Sequence, residues 1–240
     1  MVDSPKASAE RGEGGEGGRD GEVRFPAVAA IVVAIALYTL LPGQLIVGPR
    51  IVVPVLEGCL LAASLAANPR RLTRQNRALR ILSLTVVGLI AASNTGALIL
   101  LVDQLITAGS SSAGTLLLAA LQVWATNVIV FGLLYWELDR GGPVTRRRAP
   151  RREIPPADFR FSQDENHDAV GEVAAGSSKA SGWLPGFVDY LYVSTTNSTA
   201  FSPTDTMPLT PRAKLLMAYE SISALIVSLL VVARAVSALH

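Results

Sequence analysis

Two glutamates and an aspartate interrupt long apolar runs of this chain, and they are the residues whose setting could do chemistry. Glu57 stands inside the second apolar block, Glu220 early in the last one, and Asp103 closes the third. An ionisable group at membrane depth costs about 2.5–3.5 kcal/mol on insertion scales, so one that persists there points either to proton or cation handling or to pairing with a neighbouring helix. Pro54 lies one turn before Glu57; it removes a helix hydrogen bond and frees a carbonyl near that carboxyl group. Ser93, Asn94, Thr95, Gln122, Thr126 and Asn127 are further polar groups in apolar runs, with Gln122 and Thr126 on one helix face. Interhelical hydrogen bonds, worth about 0.6 kcal/mol each, account for such groups. No catalytic constellation emerges. His167 is the only histidine besides His240, Cys59 is the only cysteine, and neither a His-Glu-x-x-His pattern nor a phosphate-cradling glycine loop occurs. The residues therefore read as no enzyme, no metal site and no cofactor.

A second chemical feature is Trp183–Pro211. Phe187–Val193 has the pattern of two helical turns, with Phe187, Leu191 and Tyr192 along one side. A run of hydroxyls follows: Ser194, Thr195, Thr196, Ser198 and Thr199. Pro203, Pro208 and Pro211 then prevent a long helix until the last apolar block begins. The stretch is too polar for a simple span and too apolar for a free loop. It reads as a re-entrant loop among helices or as an interfacial segment, because non-helical backbone survives at membrane depth only under cover of protein or lining a water-filled cavity.

The order of short helix, polar loop, proline-threonine turn and long helix resembles the pore-loop and inner-helix hairpin of potassium channels. Asp205, Pro208, Thr210 and Pro211 match that pattern in register, and Glu220 stands where such channels often carry a glutamate. The same segment resembles the C-terminal part of a group of uncharacterised bacterial multi-pass membrane proteins. The likeness covers Gly186–Val236. It implies a pore-like loop containing Thr199, Ser202, Thr204 and Asp205, and a monovalent cation as the species handled. The two filter glycines of the channels are Ser202 and Thr204 here, and the tyrosine is Pro203. A selectivity filter aims successive carbonyls at the ion using backbone angles that glycine allows and proline forbids. The likeness is therefore one of shape rather than of potassium selectivity.

The elements that must position these groups are apolar blocks. Hydrophobic residues make up 50% of the chain and charged residues only 17%, below the roughly 25% of soluble domains. Five blocks, Phe25–Leu41, Ile51–Ala67, Ile81–Val102, Ala113–Trp136 and Leu215–Ala233, approach or exceed the roughly 20 residues that cross a bilayer. The first two are marginal in length. Only three of the 21 basic residues are lysine, a bias that suggests a bacterial genome rich in G and C. The net charge of +2 hides two arginine clusters, at residues 70–80 and 140–152, which border the apolar blocks. That placement marks topology and not a nucleic-acid surface. Arginine-rich loops stay on the cytoplasmic side, and two spans separate the clusters, so both fit on one side with a cytoplasmic N-terminus. Tyr135 and Trp136 read as interfacial aromatics. Gly88, Ala92 and Gly96 form a small-residue stripe that would let a helix approach closely, within the bundle or across a homo-oligomer.

The expectation is thus an all-α, polytopic transmembrane helix bundle of about five spans, with a re-entrant or interfacial segment before the last helix, in a bacterial inner (plasma) membrane. Residues 1–24 read as a disordered cytoplasmic tail, 25–137 as a four-helix transmembrane region, 138–182 as a polar cytoplasmic linker and 183–240 as a pore-loop-like segment with the last span. The function expected is an ion-channel-like or small-solute permeation module. The alternative is a non-transporting membrane interaction or scaffold protein.

Overall fold

The computed structural model describes residues 21–67, 71–72, 77–107, 113–199 and 206–237. The chain is all-α. Its major helices are α1 (Phe25–Thr39), α2 (Val52–Ala67), α3 (Arg77–Thr107) and α4 (Ala113–Leu138). The short helices α5 (Pro143–Arg148), α6 (Gly171–Ala174) and α7 (Ser178–Ser181) follow, then α8 (Phe187–Thr199) and α9 (Pro211–Ser237). Two-residue strands β1 (Glu22–Val23) and β2 (Arg71–Leu72) pair antiparallel, as do β3 (Phe159–Arg160) and β4 (Met207–Pro208).

Among the described residues three helices, and not five, are long and apolar enough to cross a membrane: α3, α4 and α9. At 1.5 Å per residue they run about 39–46 Å, against roughly 30 Å of hydrocarbon. The first two blocks shorten on folding. α1 has 15 residues and α2 has 16, so each is only about 22–24 Å long. The reason lies in residues 40–50. Pro42, Gly43 and Gly48 break the helix, and the chain then folds as a 3-10 turn against α3. There Val47 fills the notch left by Gly96, where a Cβ would lie 2.5 Å from its methyl group. Arg50 closes the end of α1 by donating Nη2 hydrogens to the carbonyls of Thr39 (2.8 Å) and Leu41 (3.2 Å). Of the small-residue stripe, Gly96 is thus used inside the bundle, whereas Gly88 and Ala92 face outward. Cys59 is exposed on α2.

α4 is the centre of the bundle, with α1, α3, α8 and α9 packed on it. The buried faces follow helical spacing: Ala27, Ala30 or Ile31, Ala34 and Tyr38 on α1, and Ala213, Met217, Glu220, Ala224 and Val227 on α9. The alanines of α1 allow a close approach to α4. The helix ends next to Arg24, Arg80 and Arg146 gather at one end of the bundle. There β1 meets β2, Arg24 donates to the carbonyl of Ser64 at the end of α2 (2.6 Å), and Arg80 at the start of α3 pairs with Glu137 at the end of α4 (2.9 Å).

The stretch read as a polar linker, 138–182, folds and packs. α4 ends where Arg140, Gly141 and Gly142 adopt φ of 52°, 76° and 90°. The chain then turns under the bundle, burying Arg146, Asp158, Phe159 and Phe161. Phe159 sits 4.9 Å from the ring of Tyr135, and Phe161 5.4 Å from that of Tyr190. Alternate polar and aromatic residues look like a linker in one dimension, but the phenylalanines insert between α4 and α8 and the polar groups pair around them.

Candidate functional site: a buried carboxyl group beside a half-length helix

α8 is longer than its apolar residues predict. It runs through the hydroxyl cluster to Thr199, and within it the threonines bond to their own helix: Thr195 to the carbonyl of Leu191, Thr196 to Tyr192 and Thr199 to Thr195, each at 2.8 Å. Such back-bonding removes their need for water. The buried face is Phe187, Tyr190, Val193 and Ser194; Tyr192, expected on that face, is exposed. Gly132 of α4 permits the contact, since a Cβ there would stand 3.1 Å from the Cα of Leu191.

α8 descends antiparallel to α4. Phe187 packs on Trp136, Leu191 lies at Gly132, and Ser194 reaches the carbonyl of Val128 (2.8 Å). Its 13 residues, about 20 Å, end partway along the bundle. By Thr206 the chain is back at the arginine-rich end. Met207–Pro208 pairs with Phe159–Arg160, and Thr210 donates to Asp158 (2.5 Å). Thr210 also accepts from the backbone of Ala213 (3.3 Å), capping α9, whose first residue is Pro211. Of the expected pore-like residues, Thr199 terminates α8 and is exposed; Ser202, Thr204 and Asp205 lie outside the described residues.

Glu220 is fully buried where α4, α8 and α9 meet. Four groups donate to its carboxyl oxygens: Tyr135 Oη (2.5 Å), Asn197 Nδ2 (2.6 Å), Ser198 Oγ (3.0 Å) and Ser194 Oγ. Among the described residues Glu220 makes no salt bridge. Tyr135 is therefore no interfacial aromatic; it is fully buried, with its hydroxyl on this carboxyl group. Ser194, Asn197 and Ser198 share one face at i, i+3 and i+4. That spacing was visible in the sequence, but their common partner 22 to 26 residues away was not. Asn197 and Ser198 also line a cavity of about 880 Å³ between α4 and α9, whose walls include Leu121, Trp124, Met217 and Leu225.

Glu57 is equally buried, 1% exposed, but among the described residues its one hydrogen-bond partner is Ser93 Oγ of α3 at 3.3 Å. Between the two glutamates runs a polar band. Asn94 donates to Asn127 (3.1 Å), Asn127 to Ser223 (3.3 Å), and Ser223 to the backbone carbonyl of Glu220 (2.8 Å). Ser223 was not singled out from the sequence; its i, i+3 relation to Glu220 is the signal it carried. Asp103 is exposed near the end of α3, away from both.

A clamp at the arginine-rich end fixes where α8 enters. Glu22 accepts from Trp136 Nε1 (2.8 Å) and from the backbone N–H of Phe187 (2.9 Å), and pairs with Arg146 (3.3 Å). Tyr190 donates to Asp139 (2.5 Å), whose neighbour Arg140 pairs with Asp164 (2.7 Å). Burial by itself would raise the Asp164 carboxyl, but hydrogen bonds from Ser178 and the Phe161 backbone, with the charge of Arg140, outweigh it and hold Asp164 below its ordinary range. His167 is exposed, and no group of three or more histidine, cysteine or acidic side chains placed to hold a metal occurs among the described residues. No protein-family model, curated protein or solved structure matches the chain.

Proposed function

We propose that this chain is a multi-pass protein of a bacterial inner membrane in which the α8–α9 hairpin is a permeation element for a monovalent cation or small solute. The observation that carries the reading is the course of α8. It enters from the arginine-rich end, stops partway along the bundle beside an open cavity, and the chain returns to the same end. Half-length helices that end inside a bundle are how membrane proteins bring polar backbone to an ion. In this reading the arginine-rich end is cytoplasmic, by the preference of arginine for that side. α1 and α2 form a short hairpin under a locally thinned bilayer, giving five crossings, and mismatch of this size costs a fraction of a kcal/mol per Å. Arg50 then extends to the far headgroups.

Purified protein in liposomes should pass cations faster than empty liposomes, and Asp205→Ala or Glu220→Gln should change the rate. Flux equal to that of empty liposomes removes the reading. Reporter fusions before Glu22 and after Val236 should report opposite sides of the membrane.

One observation favours a second reading, a non-transporting scaffold or homo-oligomer. The outward face of α3 carries Gly88 and Ala92, and a Cβ on Gly88 would meet nothing within 4 Å beyond its own helix backbone among the described residues. Cysteine cross-linking at Ala92 between two copies in membranes supports it, and monomers alone count against it.

A further inference from the structure

Proton bookkeeping at Glu220 singles out one side chain. Ser194 has one hydroxyl hydrogen but two acceptors within reach, the carbonyl of Val128 at 2.8 Å and Glu220 Oε1. The group can therefore be satisfied in two ways. In one, Ser194 donates to the Glu220 carboxylate. In the other, Glu220 carries a proton on Oε1 and donates it to Ser194 Oγ, while Ser194 turns its hydrogen to Val128. Oε2 keeps its donors, Tyr135 and Asn197, in both. The second buried glutamate repeats the pattern: Ser93 has its single hydrogen between Glu57 Oε1 (3.3 Å) and the carbonyl of Ile90 (3.0 Å).

We propose that Glu220 is a proton-binding site of the α4–α8–α9 junction, loaded and unloaded through the cavity beside it, with Ser194 as the rotor that satisfies both states. The inference deepens the permeation reading by naming the proton as the cation handled, and rests on it for that role; proton binding itself does not. Unloading breaks the Oε1–H bond and passes the proton to water in the cavity past Ser198, which touches both Glu220 and the cavity lining. The Ser194 hydrogen then swings from Val128 to Oε1, and the Ser198 hydroxyl, having let the proton pass, donates to Oε1 again. The groups that face Glu220 are compatible with this. α4 presents Tyr135 as its titratable group, α8 presents Ser194, Asn197 and Ser198, and α9 carries Lys214 at the exposed rim of the cavity. A proton added to Glu220 therefore meets no buried cation among the described residues.

The test is infrared difference spectroscopy on the full chain in lipid nanodiscs, titrated with pH. The wild type should show a protonated-carboxyl C=O band that converts to carboxylate as pH rises, and Glu220→Gln should lack that component while keeping the wild-type circular dichroism. Ser194→Ala should keep the band and move its midpoint upward by roughly one pH unit, since the ionised form loses the stronger hydrogen bond. A Glu220→Gln difference spectrum identical to the wild type, or a Ser194→Ala midpoint that does not move, overturns the proposal. Liposome flux measured in parallel separates the two readings. A titrating Glu220 band without flux leaves the proton site standing and removes permeation, whereas cation flux without the band does the reverse.

Discussion

Two arginines of the same cluster, Arg146 and Arg152, should differ sharply in what they contribute. Arg146 is fully buried. Its guanidinium pairs with Glu22 at 3.3 Å, donates to the carbonyls of Trp136 (3.2 Å) and Asp139 (3.0 Å), and stacks over Tyr190 with its carbon 5.0 Å from the ring centre. It thus joins the entry to α1, the end of α4 and the start of α8. Replacing it with alanine leaves the buried Glu22 without its cation and two carbonyls without a donor, a loss of about 3–5 kcal/mol. That is a large share of the roughly 5–15 kcal/mol that holds a typical protein folded. Arg152 is 86% exposed, its contact with Glu153 is 3.6 Å, and its removal should change stability by less than about 0.5 kcal/mol. Arg146→Lys keeps the charge but loses the planar fork, and should fall between. The assay is unfolding in detergent followed by tryptophan fluorescence, to which Trp136 beside the site reports directly. Both alanine variants remove one positive charge from the same loop, so an explanation by topology alone predicts equal effects. Losses for Arg146→Ala and Arg152→Ala within about 0.5 kcal/mol of each other would refute the reasoning.

Three further outcomes follow from the same geometry. Asp158 is buried and takes hydrogen bonds from Thr210 (2.5 Å) and Arg212 Nε (2.8 Å), so Asp158→Ala should destabilise the start of α9 by about 2–3 kcal/mol and expose residues 150–185 to limited proteolysis. Gly132→Val pushes on the α8 backbone and should cost about 1–3 kcal/mol, read as a lowered melting temperature, whereas the same change at Gly88, where the surface is open, should leave it nearly unchanged. Asp164 has a folded pKa below its ordinary 3.8. Its contribution to stability is complete above that value and fades as pH falls through the lower folded one, so an acid-induced loosening of residues 158–182 should begin only below about pH 4 and be absent in Asp164→Asn. Hydrogen exchange of that segment against pH measures it.

Much of the bundle was legible in the chain. The apolar blocks of α3 and α4 appear as uninterrupted runs and that of α9 as a run broken by Glu220, and Pro211 marks a helix start, because a missing N–H costs nothing in a first turn. Glu220 also stood out. It occupies the inward stripe of α9 with Ala213, Met217, Ala224 and Val227, where a carboxyl group has no water. These are local properties: hydropathy, period and backbone chemistry act over a few residues, so a linear reading captures them.

Tertiary structure decided the rest. That Glu220 faces Tyr135, Ser194, Asn197 and Ser198 depends on α8 lying on Gly132 and on the chain returning by Thr206. That the 138–182 stretch packs beneath the bundle depends on Phe159 and Phe161 finding the space between Tyr135 and Tyr190. That residues 40–50 lie against α3 depends on Val47 seating in the notch of Gly96. In each case the partner is far away in sequence, and neither type nor spacing encodes the pairing. The amino-acid order set which groups must be hidden from water, and only the packed chain decided which group each would be hidden against.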